Sequence, residues 1–158
     1  MDFFMTHLFN RTFKLAVALT FLMLQPLLPS HAEALSSQDE KALQTVVQSQ
    51  LAAFAKDDAD KAFSYAAPEL RKSIGSSSAF MAMVKSSYPV VYRPASVVFL
   101  KPESTDTGAK SGAEVIQRVQ MLDASGASWL AVYSLQRQKD KSWRIASCVL
   151  LENKGRVT

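Results

Sequence analysis

The stretch SWLAVYSLQRQKDKSWRIASCVLL, residues 128–151, decides the fold. Two runs rich in aliphatic, aromatic and β-branched residues, 128–138 and 142–151, flank the polar triplet Lys139-Asp140-Lys141. That is the pattern of an antiparallel hairpin. Just upstream, EVIQRVQML (residues 114–122) is a third such run, joined to the hairpin by the turn Asp123-Ala124-Ser125-Gly126. The three together predict a meander. Residues 95–100 are apolar and β-branched and are read as the first strand, followed by a loop over 102–112, which is rich in turn formers. Pro89 and Pro94 bracket Val90-Val91-Tyr92-Arg93, and a proline disfavours helix in the residue before it, so this segment is read as extended.

Strict alternation assigns the faces. In the last strand it puts Trp143, Ile145, Ser147, Val149 and Leu151 on one side, and Arg144, Ala146, Cys148 and Leu150 on the other. In the strand before it, Trp129, Ala131, Tyr133 and Leu135 oppose Leu130, Val132 and Ser134. Both faces are fairly apolar. A sheet with one face in water alternates more sharply, so a cover is expected on each face: helices on one, and a partner, a ligand or sheet curvature on the other.

Upstream of the strands the period changes to that of helices. Ser37-Gln38-Asp39-Glu40 fits a capping box. Leu43, Val46, Val47, Leu51 and Phe54 then recur at three- and four-residue steps, as on the buried stripe of one long helix. Lys56-Asp57-Asp58 ends it, with Asp58 placed to cap a second helix carrying Ala62, Phe63 and Tyr65. Pro68 opens a third helix that Gly75 stops, and Ser76-Ser77-Ser78 caps a fourth with Phe80, Met81 and Val84 on one face. Helices first and strands after predict an α+β domain, with N-terminal helices packed on a four-stranded antiparallel sheet.

At the N-terminus, Arg11 and Lys14 precede the short apolar run LAVALTFLML (residues 15–24). Pro26 and Pro29 follow, and Ser30-His31-Ala32 places small residues at −3 and −1 of a cut before Glu33. This is the layout of a secretory signal peptide, and the run is too short for the ~20 apolar residues that span a bilayer. The expected organisation is therefore a leader over residues 1–32 and one domain over 33–158. The product would be exported to a periplasm or the medium, with no membrane insertion after cleavage. Both histidines of the chain, His7 and His31, fall in the leader, and a single cysteine, Cys148, remains. A lone cysteine cannot form an internal disulfide. Within an apolar strand it reads as a small hydrophobe, with no imidazole nearby to make it a nucleophile.

The formal net charge is +4, and the basic residues are dispersed rather than gathered with aromatics on one face, which argues against nucleic-acid binding. Without histidine the domain lacks the usual zinc, copper and nickel ligands. Asp57-Asp58-Ala59-Asp60 lacks the glycine turn and distal glutamate of a calcium loop. Neither a phosphate-cradling glycine motif nor a serine nucleophile elbow is present, so no metal and no cofactor are expected.

The opening segment ALQTVVQSQLAAFAKDDADKAFSYAAPEL (residues 42–70), the segment FMAMVKSSYPVVYRP (80–94) and the closing strand WRIASCVLL (143–151) resemble the nuclear transport factor 2-like superfamily. Within it, the chain is similar to the bacterial family known as domain of unknown function 4864. The resemblance implies a curved sheet and helices enclosing a cone. It names no reaction, because the superfamily includes isomerases, dehydratases, ligand binders and scaffolds. Its enzymes place an acid, a base or a polar dyad inside the cone.

Most acids of the domain sit at helix starts or in turns, where they complement amides and dipoles. Glu114 is the acid at a strand, with Arg118 on the same side, and is the one candidate base; its ordinary reading is an exposed cross-strand charge. Tyr88, Tyr92 and Arg93 flank the passage from helix to sheet, the expected mouth of the cone, and Tyr133 lies in the central strand. A phenol offers apolar area with one polar handle, which suits core packing and ligand contact alike. These four residues are the candidate ligand contacts. The expectation is an exported, non-catalytic domain that binds a small apolar or amphipathic ligand or a partner protein. The alternatives are an isomerase or dehydratase using Glu114, and a homodimeric scaffold with no ligand.

Overall fold

A computed structural model describes residues 35–105 and 114–153. The leader expected over residues 1–32 lies outside the described residues. Among the described residues, five helices precede an antiparallel sheet: α1 (Ser37–Ala55), α2 (Ala59–Ser64), α3 (Pro68–Ile74), α4 (Ser77–Ser87) and the single turn α5 (Pro89–Tyr92). The strands are β1 (Ser96–Phe99), β2 (Glu103–Thr105), β3 (Glu114–Leu122), β4 (Ser128–Arg137) and β5 (Trp143–Glu152). The protein is thus α+β with N-terminal helices, and the open sheet has five strands rather than the four expected.

The cap chemistry explains the helix boundaries. Asp58 accepts from the Lys61 amide at 3.0 Å and starts α2. Pro68 occupies the first turn of α3, which ends at Gly75 with φ of 91°, a conformation a side chain would strain. Ser76 starts α4, accepting from the Ala79 amide at 3.2 Å. The cap of α1 lies one residue earlier than its sequence suggests. Ser36, not Ser37, accepts from the Asp39 amide at 3.1 Å. Asp39 is itself held from the sheet by the Trp143 indole at 3.3 Å and by Arg137 at 3.6 Å, and this tertiary contact selects the frame.

The segment expected to be extended between Pro89 and Pro94 is helix α5. Tyr88 and Arg93, which precede the two prolines, do leave helical geometry, with ψ of 52° and 78°. Between them Pro89 takes the first helical position, where its missing N–H costs nothing, and one turn fits.

In the sheet, β3 pairs with β4 and β4 with β5, while β1 and β2 both lie along β3. Together β1 and β2 make one broken edge strand: β1 pairs with the end of β3 (Ser96 opposite Leu122) and β2 with its start (Thr105 opposite Glu114). The break falls at Leu100-Lys101-Pro102, where proline removes a ladder donor. The Leu100 carbonyl is met there by the side-chain amide of Gln117 at 2.7 Å.

On the other flank, β5 is bent by a bulge. Ser134 faces Ser147 and Leu135 faces Ile145, so Ala146 is the extra residue. The bulge overturns the face assignment of β5. Trp143 and Ile145 point into the core, but beyond Ala146 it is Cys148 and Leu150 that pack against the core, whereas Val149 and Leu151 are 54% and 50% exposed. Just before the bulge, the open edge of β5 is closed by the 65–67 segment: the Ile145 amide donates to the Tyr65 carbonyl at 2.9 Å, and the Ala67 amide to the Ile145 carbonyl at 2.8 Å.

The core lies between helices and sheet. Leu43, Val47, Leu51 and Phe54 of α1, Phe80, Met81 and Val84 of α4, and Val90 and Val91 of α5 are buried with Val115, Val119, Met121, Ala131, Tyr133, Leu135, Trp143 and Ile145. Val46, expected in the α1 stripe, is only half-buried, and Gln50 is buried instead, its amide donating to the Ala62 carbonyl at 3.1 Å. No described helix is long and apolar enough to cross a membrane.

Candidate binding surfaces

The residues expected at the mouth of a cone are engaged within the chain. Asp57 follows α1 with φ of 57°, and its carboxylate gathers three partners from α4 and the end of α5. The Tyr92 hydroxyl donates to Oδ1 at 2.5 Å, Lys85 Nζ lies 2.7 Å from the same oxygen, and the Arg93 guanidinium donates to Oδ2 at 3.1 Å. Lys85 and Arg93 also stand over the Tyr92 ring, 5.0 and 4.8 Å from its centroid. The ammonium of Lys85, then the Tyr92 hydroxyl, hold the Asp57 carboxyl below its ordinary value, and the carboxylate in turn raises Lys85. The arrangement clamps the end of α1 to α4 and α5 at the surface. Tyr88 links α4 to α5 through its backbone, accepting from the Val91 amide at 2.9 Å, and its side chain packs against the core.

Tyr133, the fourth expected contact, lies apart from this clamp. It is 1% exposed on the helix-facing side of β4, with Gln117 of β3 and Cys148 of β5 as its cross-strand neighbours. The Gln117 amide nitrogen donates to the Leu100 and Arg118 carbonyls at 2.7 and 2.9 Å, but its Oε1 has no hydrogen-bond partner, and neither has the Tyr133 hydroxyl. The Cys148 thiol sits close enough to bear on the phenol's ionisation. Sulfur is a weak partner, however, and the hydroxyl makes no bond of ordinary geometry. Burial pushes the thiol up to about 12 and the phenol well above its usual value, so both are neutral and the thiol is no nucleophile at physiological pH. Gln117 is absent from the expected set, although a glutamine at the same strand parity as Val115, Val119 and Met121 was a readable signal of a polar group inside.

Glu114 projects from the opposite side of the sheet. Its carboxylate accepts from the Ser134 hydroxyl. Arg118 shares its face, as expected, but pairs at 2.5 Å with Glu103 of β2, a strand its polar sequence concealed. Glu114 and Tyr133 are therefore not brought together, since alternation puts one outside and the other under the helices. Among the described residues no cluster of three histidine, cysteine, aspartate or glutamate side chains could hold a metal ion.

The same outer face carries the largest apolar exposure. Val98 of β1 is 55% exposed and Leu122 of β3 40%, in company with Val149 and Leu151 of β5, while Ile116, Leu130 and Val132 between them are half-buried. The register lays Val98, Gln120, Leu130 and Leu151 in one row across four strands, with Val132 and Val149 in the next. Charged and polar groups collect toward one end of this face, at Glu103, Glu114, Gln136 and Arg144, and Arg118 completes the row of Val132 and Val149.

Neither a curated protein nor a solved structure matches the chain. A family model does match, over residues 36–158, from the cap of α1 through the last strand. On that match the chain belongs to the family described as a domain of unknown function, DUF4864.

Proposed function

We propose that this protein is an exported, non-catalytic binding domain with a nuclear transport factor 2-like cone, and that its outer sheet face pairs with a second copy of the chain. The cone reading rests on the order of helices before a long antiparallel sheet and on two devices that bend it, the break at Pro102 and the bulge at Ala146. Export rests on the leader pattern of residues 1–32.

The observation that carries the pairing is the apolar patch around Val98, Leu122, Val149 and Leu151. Four strands spaced ~4.8 Å apart, with a rise of ~3.4 Å per residue, make a face roughly 20 Å by 30 Å. Its plane of roughly 600 Å² is about three-quarters of the ~800 Å² of accessible surface that a standard interface takes from each partner, before the relief of the side chains is counted. Its apolar rows, interrupted by Gln120 and Arg118, and its charged end resemble the core and rim of such interfaces. Two like sheets stacked about a two-fold axis bury the patch on both copies.

Light scattering on the purified protein at micromolar concentration should give a dimer. The Val149→Lys/Leu151→Lys variant should give a monomer with unchanged circular dichroism, because both side chains are half in solvent and contribute little to folding. A monomeric parent protein overturns the pairing.

A further inference from the structure

We infer that the buried pair Gln117 and Tyr133 forms an internal site for one neutral hydroxyl group, held between β3 and β4 beneath the helices. The two residues face each other directly across the strands, where opposed Cβ atoms stand about 5 Å apart. Gln117 is 0% and Tyr133 1% exposed, and each presents a polar atom with no partner. A buried polar group left unpaired costs about 1–3 kcal/mol, and native interiors keep few of them. Two on adjacent strands of one face point to a shared occupant rather than two separate losses.

The chemistry of the two atoms defines that occupant. Gln117 Oε1 can only accept, because the amide nitrogen of the same side chain is already committed to the Leu100 and Arg118 carbonyls. The Tyr133 hydroxyl can donate or accept. An O–H placed between them donates to Oε1 and accepts from the phenol, and the Cys148 thiol beside the phenol offers a third, weaker contact. A carboxylate or phosphate is excluded by the acceptor-only amide oxygen, and an ammonium finds no carboxylate beside the pair, since Glu152, which shares this face, stands opposite Trp129, four residues along β4 from Tyr133. The nearest charged strand residues, Glu114 and Arg118, point to the outer side. One chemistry, a neutral hydroxyl, can come from two sources: a sequestered water, or the head group of a small alcohol whose apolar remainder joins the core. This site is independent of the outer sheet face and stands or falls separately from the dimer.

A high-resolution crystal structure of the purified protein decides the matter, alongside thermal unfolding with and without 1-hexanol and, as an anionic control, hexanoate. We expect an oxygen within hydrogen-bond distance of both Gln117 Oε1 and Tyr133 Oη, displaced or lost in Tyr133→Phe, a variant that keeps the ring and its packing. A rise in Tm with 1-hexanol but not hexanoate, absent in Tyr133→Phe, assigns the site to an alcohol head. No rise, with the oxygen still present, assigns it to water. A direct bond from the Tyr133 hydroxyl to Gln117 Oε1 with nothing between them overturns the inference.

Discussion

Asp57 shows how one residue joins three helices. A non-glycine residue at φ of 57° is uncommon, and aspartate is among the side chains that tolerate it best. The strained position turns the chain out of α1 and aims the carboxylate back at Tyr92, Lys85 and Arg93. Residue types alone made Tyr92 and Arg93 look like ligand contacts, since a loop has little packing reason for an aromatic. The structure gives both a partner within the chain, Asp57, thirty-five and thirty-six residues away, a pairing that local pattern does not reveal. Replacing Asp57 separates backbone from charge. Asp57→Gly relieves the conformation but loses the clamp, while Asp57→Ala loses the clamp and keeps the strain. Urea unfolding should rank the parent above Asp57→Gly and Asp57→Gly above Asp57→Ala. An alanine variant as stable as the glycine one would show that the left-handed turn carries no cost here.

At the scale of elements, α2, α3 and α4 were readable because each has a cap or stop with a chemical reason: Asp58, Pro68, Gly75 and Ser76 act as their types predict. What escaped has equally physical grounds. Strand β2 is three polar residues on an edge, with no alternation to see. Helix α5 is one turn between two prolines that each signal extension. The faces of β5 were unreadable because Val149 and Leu151 are as apolar as Cys148 and Leu150, so only the bulge decides which pair turns inward.

The bulge also makes a parity prediction. Removing Ala146 alone restores a regular ladder and leaves Cys148 opposite Tyr133, so the thiol should stay as unreactive toward a disulfide reagent as in the parent. Removing both Ala146 and Ser147 shifts parity by one and turns Cys148 outward. Its reaction at neutral pH should then accelerate by on the order of a hundredfold or more, as an ordinary exposed thiol replaces a buried one. Acceleration already in the single deletion would refute the bulge as the feature that sets the face.

For the whole molecule, the ionisable groups predict a stability profile with two arms. Asp39, Asp57, Asp123 and Asp140 all lie below the ordinary carboxylate value of 3.8, and Asp123 is lowered to about 2. The causes are specific partners, some near in sequence and some far: the Ser36 hydroxyl and Trp143 indole at Asp39, Lys85 at Asp57, Ser125 and Trp129 at Asp123, and Ser142 at Asp140. A carboxyl that is more acidic in the folded state stabilises it at pH above the unfolded value, and that contribution fades as pH falls through the folded one. Stability should therefore hold above about pH 4 and decline toward pH 2, with Asp123 the last of the four to protonate.

The alkaline arm has the opposite origin. Cys148 is raised from 9.0 to about 12 and Tyr133 is raised as well, both by burial, so the unfolded chain gives up these protons first. Above pH 9 the folded state binds more protons than the unfolded one, and stability falls as pH rises. Lys85, raised by Asp57, adds to this arm, because its stabilisation is complete below 10.5 and is lost above it. Thermal midpoints measured from pH 2 to pH 11 should trace both declines. Asp123→Asn should shallow the acid arm only, and Cys148→Ala the alkaline arm only. The two substitutions sit on different elements with different partners, so their effects on the profile should add. A flat midpoint between pH 4 and pH 2 would mean that the four carboxylates keep their partners in the unfolded chain, which the contacts of Asp39 with Trp143 and of Asp57 with Lys85 argue against, whereas Ser125 and Ser142 lie only two residues from Asp123 and Asp140.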